Sequence, residues 1–148
     1  MNKLITLMLA LVLCPLTLSA QGKRYHGDGI DNVLEYVPLV ATFTLKGCGV
    51  ESASSWKRLA VDGAFSIGLT AGTTYLLKHT INDMRPDRTD NHGFPSGHTA
   101  VVFCGARMLD KEFRYVSPWI SVAGYTVATV TAVDRVRRNR HHWDDVVV

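Results

Sequence analysis

From Val116 to Val133 the chain runs eighteen residues without a charge, and from Leu59 to Leu77 the only charged residue is Asp62. Neither run alternates apolar with polar positions, and both are far longer than a strand of about five or six residues. Such stretches form long helices. Their boundaries agree: Ser52-Ala53-Ser54-Ser55 offers N-caps for a helix from about Trp56 to Thr80, and Ser117-Pro118 opens one that runs to about Arg138. Val33 to Leu45 reads as a helix with Pro38 near its start and Gly47 and Gly49 ending it; Ser96 caps another running to about Leu109. Gln21 to Asp31 reads as an extended arm and Met84 to Gly93 as a loop. Gly68 and Gly72 form a small-xxx-small face that would let another helix approach closely. The class is all-α. The two long runs stand at the lower limit of the roughly 20 residues a membrane span needs, and Gly, Ala, Ser and Thr dilute them. They serve equally as the buried helices of a bundle.

The 148 residues suffice for one domain with a core. A net charge of +3, with 47% hydrophobic and 20% charged residues, argues against disorder and is too small to argue for nucleic-acid binding. Met1-Asn2-Lys3, the apolar run Leu4–Leu13 and Leu18-Ser19-Ala20 have the order of a secretory signal peptide cut after Ala20. Leu13 stands before Cys14 where lipoprotein processing needs a small residue. The expectation is an exported protein with a signal peptide at 1–20 and one domain at 21–148, located in a bacterial periplasm or envelope membrane. Cys48 and Cys104 are too few to make a disulfide framework, and Cys104, on an apolar helical face, reads as a buried thiol.

Three blocks concentrate the chemistry: Lys78-x6-Arg85-Pro86, Pro95-Ser96-Gly97-His98 and Arg135-x5-His141-x3-Asp145. Lys78 and Arg85, seven apart, fall close to one helix face, about 10 Å apart along the axis. They converge on one anion more easily if the chain unwinds before Pro86. Taken alone they would be two solvated cations. Ser96 as an N-cap, with Gly97 after it, leaves free N–H groups at a helix start where the dipole favours an anion. His98 lies in the first turn of that helix. Arg135 and His141 would stand roughly 120° apart on an unbroken helix, so a break is expected near Asn139 with a new helix starting close to His141. Asp145 would then lie four residues on, on the same face, able to hold one ring nitrogen of His141. His142 fits neither spacing. Arg137, Arg138 and Arg140 read as surface, touching lipid headgroups or an acidic substrate at most.

In this order and spacing the three blocks resemble the signature of the type-2 phosphatidic acid phosphatase superfamily, which also includes bacterial acid phosphatases and vanadium haloperoxidases. The resemblance spans residues 78–145. It implies a helical bundle and a metal-independent, cofactor-free phosphatase acting on phosphomonoesters or lipid (di)phosphates through a phosphohistidine. By the same resemblance His141 is the nucleophile, His98 the general acid and Asp145 the residue orienting His141, while Lys78, Arg85, Ser96, Gly97 and Arg135 bind phosphate. The implied partner is a phosphorylated small molecule or lipid; the apolar runs leave a membrane surface as a second candidate, and export argues against nucleic acid. Two departures stand out. Asp134 replaces the usual Ser and places a carboxylate beside Arg135, which would weaken phosphate binding or redirect the arginine. The chain also stops three residues after Asp145, so the last core helix is expected to be truncated, with His141 and Asp145 on a fraying end and activity low. The alternatives are a truncated, non-catalytic envelope protein that only binds anions and, within the fold, a vanadate-dependent haloperoxidase.

Overall fold

The computed structural model describes residues 29–85, 91–138 and 140–147. The signal-peptide reading falls outside them. Among the described residues six helices follow one another: α1 (Asp31–Leu34), α2 (Val37–Gly47), α3 (Trp56–Thr80), α4 (Gly97–Phe113), α5 (Pro118–Arg137) and α6 (Trp143–Val147). The expected all-α class is what the chain adopts, and no described helix is long and apolar enough to cross a membrane.

Helix α4 is the axis of the bundle and packs against α2, α3 and α5. Val102, Ala106, Leu109 and Phe113 recur at helical spacing and are all at most 1% exposed. Val102 and Ala106 join Leu34, Val127 and Ala128, whereas Leu109 and Phe113 join Leu45 and Ile120. Each large apolar side chain buried in this way contributes about 1.5–3 kcal/mol against solvent exposure. The stripe continues one turn past Leu109, which is why α4 runs on to Phe113. Glu112 there accepts the Ser54 N–H at 3.0 Å and ties the start of α3 to the end of α4.

Close helix approach uses glycines other than the expected ones. A Cβ on Gly105 would stand 3.0 Å from the Leu39 backbone nitrogen in α2, and one on Gly124 would stand 2.9 Å from Leu109 Cδ2. Gly68 and Gly72 meet nothing within 4 Å. The reason lies in α3, which buries only Leu59 and Gly63 near its start and turns Phe65, Leu69 and Leu76 outward.

The ends of α3 and α5 fall within a residue of the sequence expectation, and Ser55 caps α3 through Arg58 N–H at 3.3 Å. The N-terminal part differs. Helix begins at Asp31, pauses at Glu35 and Tyr36, and restarts with Pro38 in the first turn of α2. That pause leaves the polar side of α1 beside α4 and α5. Cys48 is exposed and Cys104 only half-buried, and both are free thiols.

Candidate active site

Helix α3 delivers Lys78 in its last turn and stops two residues later, Ile81 being extended. Arg85 therefore lies beyond the helix, and it is the fold of the loop that brings it towards Lys78. Asp83 N–H donates to Asn91 O at 3.2 Å, and Gly93 N–H donates to Asp83 O at 2.8 Å, drawing the two ends of that loop together. Lys78 Nζ reaches across to the His92 carbonyl at 3.0 Å.

Ser96 caps α4: its Oγ accepts from Thr99 N–H at 3.4 Å and from Thr99 Oγ1 at 3.0 Å. The side chain is fully buried, so Ser96 lies behind the site while Gly97 and His98 face it. Ser96 N–H donates to the Asp145 carbonyl at 2.9 Å. That bond docks α6 on the start of α4 and joins the second and third sequence blocks.

Helix α5 ends at Arg137 and α6 begins at Trp143, so the chain breaks between Arg135 and His141 as their spacing demands. His141 lies ahead of α6 and not inside it. Asp145 reaches back to it from the first turn. Its Oδ2 accepts the His142 N–H at 2.7 Å, the returning half of a capping box, and stands 3.4 Å from His141 Nδ1. Asp145 and His141 are 3% and 2% exposed. Short as α6 is, both side chains are packed.

On its other side His141 Nε2 lies 3.3 Å from Arg135 Nη2. A guanidinium only donates, so Nε2 holds the lone pair and Nδ1 carries the proton; Asp145 Oδ2 is near Nδ1 but makes no hydrogen bond to it. Burial and the charges of Arg135, Arg85 and Lys78 push the His141 pKa down to about 3, with the Gly93 backbone acting in the opposite sense. His98 is pushed down to about 4 by burial and by Arg135, Lys78 and Arg85, opposed by Asp31. Both rings are neutral at neutral pH when the site is empty. Burial raises the Asp145 pKa, with Asp83 and Asp144 adding to it and the His142 N–H opposing.

The carboxylate that takes up Arg135 is Asp31, 104 residues upstream and fully buried. It also pairs with Arg138. Burial works against its charge, yet the hydrogen bond and charge of Arg135, with Arg138, outweigh it and hold the carboxyl below its ordinary range. The sequence pointed to Asp134 for this part. Burial and Asp31 instead raise the pKa of Asp134, which makes it the weaker carboxylate of the two.

These residues enclose a cavity of about 350 Å³ between α1, the start of α4 and the end of α5. Lys78, Arg85, Gly97, His98, Arg135 and His141 all line it. Asn32, Arg138 and Arg140 line it too. Sequence reasoning passed over Asn32 and set both arginines on the surface; of Arg137, Arg138 and Arg140, only Arg137 is exposed. The break after α5 turns Arg138 and Arg140 inward. A usable signal for α1 was present in the three polar residues Asp31, Asn32 and Glu35 beside an apolar helix.

A PAP2 superfamily model matches residues 59–148. The chain belongs to the PAP2 superfamily. Among curated proteins, the lipid A 1-phosphatase of Porphyromonas gingivalis is 41% identical over 130 residues, covering 84% of this chain. The chain spans 29% of that relative's length. No solved structure matches. The family match begins after α1 and α2, so Asp31, Asn32 and Glu35 lie outside it.

The low histidine pKa values make ligand-free stability pH-dependent. In the unfolded chain the two rings take protons near the ordinary 6.5, while in the fold they resist until about 4 and about 3. Between those limits the unfolded state binds more protons, so their contribution lowers stability as pH falls from 6.5 towards 4. Urea unfolding at pH 7 and pH 4.5 checks this. His98→Ala (H98A) is expected to show a shallower fall than the native chain, and equal slopes would show that His98 is not held neutral.

Proposed function

We propose that the chain is an exported, envelope-associated phosphatase that hydrolyses a phosphorylated lipid or related phosphomonoester through a phosphohistidine at His141. The observation that carries this is the pair of contacts on one ring: Asp145 behind Nδ1, and Arg135 beside Nε2 at the cavity wall. That arrangement leaves a lone pair at Nε2 and places a phosphate-binding guanidinium next to it. In the first half-reaction Nε2 forms a bond to phosphorus while the bond to the leaving oxygen breaks, and His98 supplies that oxygen with a proton. Water then attacks the phosphohistidine, giving up a proton to His98, and phosphate leaves. Lys78, Arg85 and Arg135 spread positive charge around the transferring group, where phosphoryl transfer depends mainly on positioning and electrostatics.

A lipid substrate is supported by the relative's activity on lipid A and by the outward apolar residues of α3 and α5, among them Phe65, Leu76 and Trp119. The purified 148-residue chain, given a phosphorylated glycolipid in mixed micelles and p-nitrophenyl phosphate, tests the reading by phosphate release. Binding of phosphate without turnover of either substrate would favour a pure anion binder, and oxidation of halide by the vanadate-loaded chain would favour a haloperoxidase. Cell fractionation tests the location, and recovery only in the cytosolic pool would sink it.

The cluster of permanent cations supplies the charge a metal ion would otherwise bring. Hydrolysis is expected to persist in EDTA, and a loss restored by Mg²⁺ or Zn²⁺ would overturn this. Vanadate is expected to inhibit far more strongly than phosphate, because its trigonal-bipyramidal form on His141 resembles the transition state. Inhibition constants of equal size would show that it does not take that place.

A further inference from the structure

His98 is met by Asn32 of α1 and by Glu35 just after that helix, two residues that belong to none of the three sequence blocks. Its Nε2 stands 2.8 Å from Asn32 Oδ1 and 3.9 Å from Glu35 Oε2. An amide oxygen only accepts, so the proton of this contact belongs to Nε2. Nδ1 is then the ring nitrogen left for a substrate. Asn32 and Glu35 are three residues apart, neighbours on one helical face. That face is set by packing: Leu34, between them, is buried among Val102 and Ala106 of α4 and Val127 and Ala128 of α5.

We propose that Asn32 is a positioning residue for the acid step, fixing the His98 ring through Nε2–H so that Nδ1 delivers the proton to the leaving-group oxygen. The inference rests on the acid role given to His98 above. To donate from Nδ1 while Asn32 keeps the Nε2 proton, the ring must be the imidazolium. Arg135 from α5, Lys78 from α3 and Arg85 from the following loop oppose that state, as does burial, while Asp31 from α1 favours it. Glu35, close to Nε2, adds a second carboxylate on the favourable side when ionised, although burial raises its own pKa. A bound phosphate dianion offsets the three cations, so the charged ring forms in the complex and not in the empty site. As the P–O bond breaks, its electron pair stays on the leaving oxygen, the Nδ1 proton moves there, and the ring returns to the Nε2–H tautomer that Asn32 already holds. Asn32 thus does for the acid what Asp145 does for the nucleophile, with a neutral acceptor suited to a ring that must lose its proton readily.

The test uses the 148-residue chain as Asn32→Ala (N32A), Asn32→Asp (N32D), H98A and the N32A/H98A double variant, with p-nitrophenyl phosphate and glycerol 3-phosphate. Only the alkyl ester needs a proton on its leaving group. N32A is expected to lower kcat for glycerol 3-phosphate by about 10–100-fold, part of the 10²–10⁴ that general acid catalysis supplies. It should cost several-fold less with p-nitrophenyl phosphate, and nothing further in the H98A background. N32D, nearly isosteric, places a carboxylate on Nε2. It should raise the His98 pKa by about one unit or more, seen both in the alkaline limb of kcat and in an NMR titration of the ring. A purely structural role would not make the N32A loss depend on the leaving group or vanish in the H98A background. Should N32A fold poorly, the N32D titration decides, and an unshifted His98 overturns the proposal. Equal losses by N32A with both substrates, or a full loss added on top of H98A, also overturn it. If H98A itself shows no dependence on the leaving group, the acid role fails and takes this inference with it. If H98A shows the dependence and N32A does not, only this inference falls.

Discussion

Replacing His141 by alanine is expected to reduce kcat for every phosphomonoester by on the order of 10⁴-fold or more, whatever the leaving group, because the proposed covalent intermediate loses its nucleophile. The neighbouring His142 offers no substitute. Its N–H is bound to Asp145 Oδ2 at 2.7 Å, and its ring is absent from the cavity lining. Arg135 would still hold phosphate, so binding should weaken far less than turnover. Rapid quench with ³²P-labelled substrate provides the second readout: acid-labile, alkali-stable label on the native chain and none on His141→Ala (H141A). Labelled H141A, or residual turnover within tenfold of the native chain, would assign the nucleophile elsewhere.

The second large effect is on stability. Asp31→Ala (D31A) removes a fully buried carboxylate that serves both Arg135 and Arg138. Arg135 is itself 7% exposed, so the substitution strands a buried cation, and breaking such a pair costs about 3–5 kcal/mol. For a domain whose whole stability is about 5–15 kcal/mol, that shifts the urea midpoint substantially. Inorganic phosphate should restore part of the loss, since an anion in the cavity meets the same guanidinium and stabilises the fold that binds it. A loss below about 1 kcal/mol, the range of exposed ion pairs, would show that Arg135 relaxes into water, and failure of phosphate to rescue would place the anion elsewhere.

His98 and His141 mark how far sequence reasoning reaches. That both line one cavity was legible because each sits in a block whose internal spacing is local: Ser96 capping the helix that starts at Gly97, and Asp145 in the first turn after His141. Even the break after α5 followed from angular arithmetic, since an intact helix would have separated Arg135 from His141. Asp31, Asn32 and Glu35 were not legible in this way. They reach Arg135, Arg138 and His98 across separations of 63 residues or more, and no local period encodes a meeting of that kind. The basic run after Val133 was misread for a related cause. The break that turns Arg138 and Arg140 into the cavity is a change of chain direction, which composition does not record.

Glycine shows the same division within the fold. Gly68 and Gly72 have the spacing of a close-packed helix face, yet they point to open space, while Gly105 and Gly124 make the close approaches. Spacing records what a helix permits; which face is used depends on the volumes the other helices bring to it. The all-α class, the ends of α3 and α5 and the gathering of Lys78, Arg85, Gly97, His98, Arg135 and His141 around one cavity were set by short-range rules of helix periodicity, capping and fixed motif spacing. The state of those groups was set by tertiary structure: a neutral His141 with its lone pair at Nε2, Arg135 held by Asp31, and His98 held by Asn32. Burial and the field of charges from distant elements determine protonation and orientation, and both exist only once the chain has packed.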